Sequence, residues 1–431
     1  MIKFFTTITL FLLLFQIGFS QGQPSDDIKW FGTVYLRPEL DGRDFSNTTH
    51  PYFITMQRVA FGFEKQIYPN IIVFAEAMDS RIWGQPQNPR KSIANLDIHQ
   101  GYLKIINALD LPIDLQIGRF EKEFNKKVIG PSNWQDVPRA FDGFDIKFKL
   151  QDNWDIDLFY LVNAFQTSFI PSTLPSAYPY PAPADKGVYA YGLTSKVDLT
   201  KKSYIQPIVL LEVAGTGNAT TYDRLTAAVD YIIKEEKLDI WLHAGYQTGK
   251  TTTNNTEKDI AAWGAHAYLG YDFGILKPLL LIDLNSGTKD EDRATKDNVY
   301  FHNLGNKHIF WGIADYFNTI STGTANYGLN QFGLRLNFNE KEAFSAYVEG
   351  SYFMTNVPFT NLDGKESNSI GSEIDLVFKY SFNKRMFIDW GNAIMLPGDL
   401  WKALYKTKDG IKDVTREDIG LYTYLRFMFN F

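Results

Sequence analysis

The chain contains no cysteine. No disulfide can form, and the acylated cysteine that tethers a lipoprotein is missing as well. Beyond the first twenty residues no stretch holds ~18 consecutive apolar residues, which excludes a helical membrane protein. No Pro/Ser-rich linker or shift in composition divides the 431 residues, so one domain is expected where length alone would suggest two or three. A basic stripe is lacking too, and a formal charge of −6 argues against a nucleic-acid partner. There is no phosphate-binding P-loop and no Ser/His/Asp arrangement in a hydrolase context, so neither an enzyme nor a cofactor is expected.

What the chain does have is aromatic residues, 34 Phe and 24 Tyr, arranged in short alternating segments. The first twenty residues read as a secretory signal. Lys3 supplies its positive start, Phe4 to Phe19 its apolar core, and Gly18 and Ser20 the small residues before a cut at Gln21. A cut after Gly22 fits nearly as well. Residues 21–431 are then the mature domain, and if an exported chain of this kind enters a membrane it must do so as a closed barrel.

Eighteen strand-like segments follow, beginning near Ile28 to Leu40 and Phe53 to Lys65. They are joined alternately by tight turns and long polar connections, the pattern of an all-β, single antiparallel outer-membrane barrel. Tight turns fall at Ile67 to Asn70, Asn107 to Leu111, Gln151 to Asn153, Leu199 to Lys202, Lys234 to Lys237, Asp272 to Gly274, Asn339 to Glu342 and Ser381 to Lys384. Long outer loops include Glu121 to Pro138, Gln166 to Lys186, Thr251 to Glu257, Ser286 to Asn326, Thr355 to Ser367 and Pro397 to Thr415. Residues His308 to Asn318 could form a further strand, but the up-and-down order then places a polar run in the periplasm, so they are assigned to the seventh outer loop. The last segment, Leu421 to Phe431, alternates aromatics and ends in Phe, as a strand read by the barrel-assembly machinery does.

Alternation also assigns faces. In strand ten, Leu225, Ala227, Val229, Tyr231 and Ile233 belong to lipid, while Arg224, Thr226, Ala228 and Asp230 belong to the lumen. Strand six sends Arg139, Gly143, Asp145, Lys147 and Lys149 inward, and strand fourteen Gln331, Gly333, Arg335 and Asn337. A charge at the lipid midplane costs roughly 2–4 kcal/mol, which fixes the assignment for central positions. The lumen is thus lined by charges of both signs. Its acids include Glu76, Asp145, Asp157, Asp230, Glu349, Glu373, Asp375 and Asp389. Two readings stand side by side. The charges pair to hold the wall, or Arg58, Arg119, Arg139, Arg224, Arg335 and Arg426 form a ladder for an anionic solute.

His302 and His308 share the seventh loop with Asp290, Asp292 and Asp297. The spacing lacks the regular ligand pattern with a central Gly that a Ca²⁺ loop uses, so a solvated outer loop and no metal are expected. The Pro-rich stretch Ile170 to Pro183 reads as an extended outer loop shielding the barrel top.

A set of short motifs carries a resemblance. Asp79-Ser80-Arg81-Ile82-Trp83-Gly84 is followed by His99-Gln100-Gly101-Tyr102-Leu103, Gly118-Arg119, Ile129-Gly130, Trp134 and Arg139-Ala140-Phe141-Asp142-Gly143. Later come Tyr246-Gln247-Thr248-Gly249, Gly328-Leu329-Asn330 and Gly371-Ser372-Glu373-Ile374-Asp375. In order and spacing this resembles the alginate export family of outer-membrane porins, with Phe120 and Thr288 departing from the pattern. The resemblance implies an eighteen-stranded barrel with an arginine-rich constriction that passes a polyuronate. By position it places Arg119 and Arg139 at the constriction and Arg81 near the mouth. The expected partners are outer-membrane lipid, the assembly machinery and an anionic oligo- or polysaccharide, with the chain monomeric. A general diffusion porin and a surface-binding barrel with a closed lumen are the rival readings.

Overall fold

The computed structural model describes residues 27–45, 51–84, 96–134, 137–164, 187–215, 220–302, 304–306, 308–405 and 418–431. The signal segment and the Pro-rich stretch Ile170 to Pro183 lie outside the described residues.

Eighteen antiparallel strands form one closed sheet. They are β1 (Ile28–Gly42), β2 (Tyr52–Tyr68), β3 (Ile71–Ile82), β4 (Leu96–Ile105), β5 (Ile113–Phe120), β6 (Phe141–Gln151), β7 (Trp154–Ala164), β8 (Val188–Thr200) and β9 (Ser203–Ala214). The circuit continues with β10 (Thr220–Lys234), β11 (Leu238–Thr253), β12 (Thr256–Tyr271), β13 (Leu276–Asn285), β14 (Leu329–Phe338), β15 (Phe344–Thr360), β16 (Glu366–Asn383), β17 (Met386–Pro397) and β18 (Gly420–Asn430). Each pairs with its sequence neighbours, and β18 closes on β1 with Val34 opposite Phe429 and Asp41 opposite Tyr422. Closure leaves no open edge, the condition for a sheet to sit in lipid.

The burial pattern is that of a barrel turned inside out. On β10, Arg224, Thr226 and Asp230 are buried while Leu225 and Val229 are exposed. On β14, Gln331 and Asn337 are buried while Phe332, Leu334 and Phe338 face outward. The face assignments made from alternation hold along these strands. Only a hydrocarbon solvent can cover such an outer surface.

The tight turns lie where the sequence puts them, from Pro69-Asn70 to Lys384-Arg385. Two outer connections are shorter than expected. Strands β11 and β12 run on to a two-residue turn at Asn254 and Asn255, both with positive φ (51° and 62°), which asparagine tolerates. The eighth connection likewise shrinks to residues 361–365, because the polar ends of β15 and β16 stay paired.

The third outer loop (residues 121–140) and the seventh (residues 286–328) turn into the lumen. The seventh contains a bridge of Lys296–Asp297 running parallel to β12 and a short helix α1 (Ile320–Gly323). Residues 308–318 form no strand, as the up-and-down order requires. The expectation of a solvated seventh loop is corrected: Tyr300, Phe310, Trp311, Ile313, Ala314 and Phe317 are all buried. All but Tyr300, which lies against His243 of β11, pack in one cluster with wall residues Phe353, Ile370, Met395 and Tyr422 and with Trp401 of helix α2 (Asp399–Tyr405) from the ninth loop. The third loop buries Phe124, Val128 and Ile129 against Phe120, Phe141, Phe159 and Leu210. Each such side chain removed from water contributes about 1.5–3 kcal/mol, so these loops are fixed parts of the lumen.

Candidate functional site: a charged lumen crossed by two loops

The third and seventh loops meet in mid-lumen through backbone contacts. The Gly130 N–H donates to Leu304 O at 2.8 Å, and the Asn306 N–H to Lys126 O at 2.9 Å. The Asn306 side chain accepts from the Ser132 N–H at 2.7 Å and donates to Glu123 at 3.1 Å. A Cβ on Gly130 would strike that amide, so the crossing needs glycine there. The Trp134 ring stacks on His308 at 3.6 Å between centroids.

Each loop is also tied to the wall by charge. Lys127, wholly buried, pairs with Asp283 of β13 beneath Phe310 and Trp311. Burial pulls the Lys127 ammonium below its ordinary pKa, with Asp283 opposing the shift. Lys122 donates to Asp145 at 2.7 Å and to Asp157 at 3.2 Å. Opposite them, two wall carboxylates hold the seventh loop by its backbone. Asp375 accepts from the Ile313 N–H at 3.2 Å, and Glu373 from the Ala314 N–H at 2.9 Å. Gly312, at φ 83°, lets the chain approach this closely, since a Cβ there would overlap the Glu373 carboxylate. Glu373 and Asp375 are therefore loop anchors.

The expected arginine ladder resolves residue by residue. Arg335 donates to Glu349 at 2.6 Å and lies over the Tyr347 ring. Arg426 donates to Asp389 at 2.9 Å and sits near Trp134. Arg58 is buried over the Tyr35 ring and reaches Asn133 O at 3.4 Å. Arg139 donates to Gly130 O and Leu304 O, stitching the two loops together, and burial lowers its pKa with Glu212 opposing. Lys147 stands 3.4 Å from Asp155, and Arg81 pairs with Asp79 near the outer end of β3. Arg224 is buried between Phe301, 3.9 Å from its guanidinium carbon, and Tyr222 at 4.9 Å.

Arg119 does not belong with these. Its neighbour Phe120 is buried in the lumen cluster, whereas Ile117 is exposed on the outer surface. Arg119 shares the row of Ile117, opposite Asp142, which it meets at 3.1 Å. The constriction expected for it is corrected: the position after Gly118 points out of the barrel.

Sequence reading singled out neither Lys122 nor Lys127; Arg37, buried on the inner face of β1, donates to Trp134 O at 2.5 Å. The signal was present in the loops' apolar residues, too many for segments bathed in water.

Cavities lie on both sides of the two-loop layer. Toward the periplasm, one of about 580 Å³ is lined by Arg335, Lys379, Asp389 and Arg426, and an adjoining one of about 220 Å³ by Tyr35, Arg58 and Asn306. Toward the outside, one of about 300 Å³ lies between β10–β12 and the seventh loop. Among the described residues no three His, Cys, Asp or Glu side chains converge as metal ligands.

A closed barrel with a polar, charged lumen narrowed by inward loops defines a porin. The match to the alginate export family extends over residues 43–408, and the chain belongs to that family. It is a protein of the bacterial outer membrane. No curated protein matches its sequence. Among solved structures it is similar to OccAB4 of Acinetobacter baumannii, at TM-score 0.59 and 10% identity over 96% of this chain and 100% of that one. It is likewise similar to OccK8 (OprE) of Pseudomonas aeruginosa, at 0.58 and 10% over 95% and 99%. A BenF-like porin from Pseudomonas fluorescens Pf-5 gives 0.59 and 10% over 94% and 99%. At these identities the likeness concerns the fold.

Proposed function

We propose that the protein is a passive channel, without enzymatic activity, for an anionic saccharide of the polyuronate class. Membership of the alginate export family supports the class of solute. The observation that carries the reading is the two-loop layer. The third and seventh loops are bonded to each other and to the wall by buried charges, which leaves polar cavities on either side. A wide general-diffusion pore has no need of such a layer. Because Arg335 and Arg426 are each held by a carboxylate, they offer weak attraction to a passing anion, the condition for a solute that must also leave.

The chain acts as a monomer in outer-membrane lipid, placed there by the assembly machinery through the strand that ends at Phe431. Proteoliposome uptake tests the solute. Acidic oligosaccharides are expected to enter faster than neutral ones of equal length; equal rates would assign the channel to general diffusion.

A further inference from the structure

Of the cations named above, Arg224 is distinguished by what it does not bond. Its residue is 4% exposed, yet Nε and Nη1 have no hydrogen-bond partner. The nearest acid in an ion pair, Asp297, stands 3.9 Å from Nη2, beyond hydrogen-bond reach. Glu212 lies opposite Arg224 on β9 and offsets part of its charge through space, but its Oε1 also accepts no hydrogen bond. The rings of Phe301 and Tyr222 flank the guanidinium, so it can bond a ligand only through its N–H edge.

That residue lines the outer cavity of about 300 Å³ together with Lys258, Thr220, Thr253, Asn318 and Asn326. Lys258 makes no ion pair among the described residues. In the ladder, Arg224 faces Gly249, which faces Ile260, and Lys258 lies two residues further along β12. Two strand spacings and two residue rises put the two backbones about 12 Å apart, a span that two long side chains can close over one sugar ring. The Asn318 Oδ1, buried at the cavity wall, is an acceptor without a donor. Unbonded charged donors beside an unfilled neutral acceptor match a group carrying both a carboxylate and a hydroxyl.

We propose that this outer cavity is a binding subsite for a single sugar-acid unit, with Arg224 and Lys258 holding the carboxylate and Asn318 accepting from a ring hydroxyl. The site lies on the outer side of the two-loop layer, away from the paired arginines of the periplasmic cavity. It rests on the reading of the lumen as a path for an acidic saccharide, and it makes the outer vestibule the place where such a solute is held.

The test is calorimetric titration of the full-length protein in detergent with glucuronate, acetate and glucose, repeated on Arg224→Gln, Arg224→Lys and Lys258→Gln. Retention of the heat-sensitive gel mobility of a folded barrel qualifies each variant. Glucuronate should bind more tightly than acetate, and glucose not at all. Arg224→Gln should weaken glucuronate about tenfold, the loss of one charge-assisted hydrogen-bonded contact. Lys258→Gln should weaken it severalfold, and Arg224→Lys should fall between wild type and Arg224→Gln. Unchanged affinity in both Gln variants would overturn the subsite while leaving the channel reading intact, since the ligand is then held elsewhere. Acetate binding as tightly as glucuronate would overturn the sugar assignment. No glucuronate binding to the wild type would overturn the subsite, and proteoliposome uptake of acidic oligosaccharides would decide the channel reading separately.

Discussion

At the scale of single residues, most of the lumen's charge is structural. Arg335 and Glu349 illustrate it: the carboxylate is fully buried, and removing the arginine leaves it only the neutral donors Ser351 and Gln331. Arg335→Ala should therefore cost about 3–5 kcal/mol, the usual penalty for breaking a buried pair. The double variant Arg335→Met/Glu349→Leu should recover much of that loss, as read by urea unfolding in lipid micelles. A double variant no more stable than the single one would mean the pair is not the reason. Arg119 gives the opposite case. Its exposed pairing with Asp142 lies outside the lumen and is worth at most about 1 kcal/mol. Arg119→Ala is expected to leave the reversal potential unchanged, and a shift toward cation preference would place it in the pore after all. Sequence alternation identified which side chains turn inward on β10 and β14, because lipid enforces period two there. It misplaced Arg119, where a strand of eight residues beside Gly118 is too short for the pattern to speak clearly.

At the scale of elements, the strands were legible and the loops were not. Strand count, turn positions and closure follow from alternation and turn chemistry, which are local. The path of the third and seventh loops depends on contacts such as Lys127 with Asp283, 156 residues apart in sequence, and no local rule encodes them. The apolar density of Val299 to Phe317 was the available hint, and solvated loops do not carry it. If Lys127 anchors the third loop, Lys127→Ala should loosen the layer and leave Asp283 unpaired. Single-channel recordings are then expected to show larger and noisier conductance than wild type. Unaltered current would mean the loop holds its place through Phe124, Val128 and Ile129 alone. The Asn254–Asn255 turn gives a second handle. Both residues have positive φ, so replacing the pair with Val-Val is expected to strain the β11–β12 hairpin and lower its resistance to proteolysis, with little effect on the rest of the barrel.

At the scale of the whole molecule, the fold supplies a wall, and on the proposed function the two loops supply selectivity. The wall needs apolar residues outward and any tolerated polar set inward, which is why barrels with only 10% identity superpose over nearly the whole chain. On that proposal, what passes is decided by the residues left unbonded once the structural pairs are made. By that measure the outer vestibule around Arg224 and Lys258 offers the stronger attraction for an anion, and the periplasmic cavity the weaker. The most direct measurement is the reversal potential of single channels in a planar bilayer under a salt gradient, with a polyuronate then added to one side. A reversal potential of anion preference with polymer-dependent block is the predicted result. A large conductance showing neither, or no open channel at all, would contradict it.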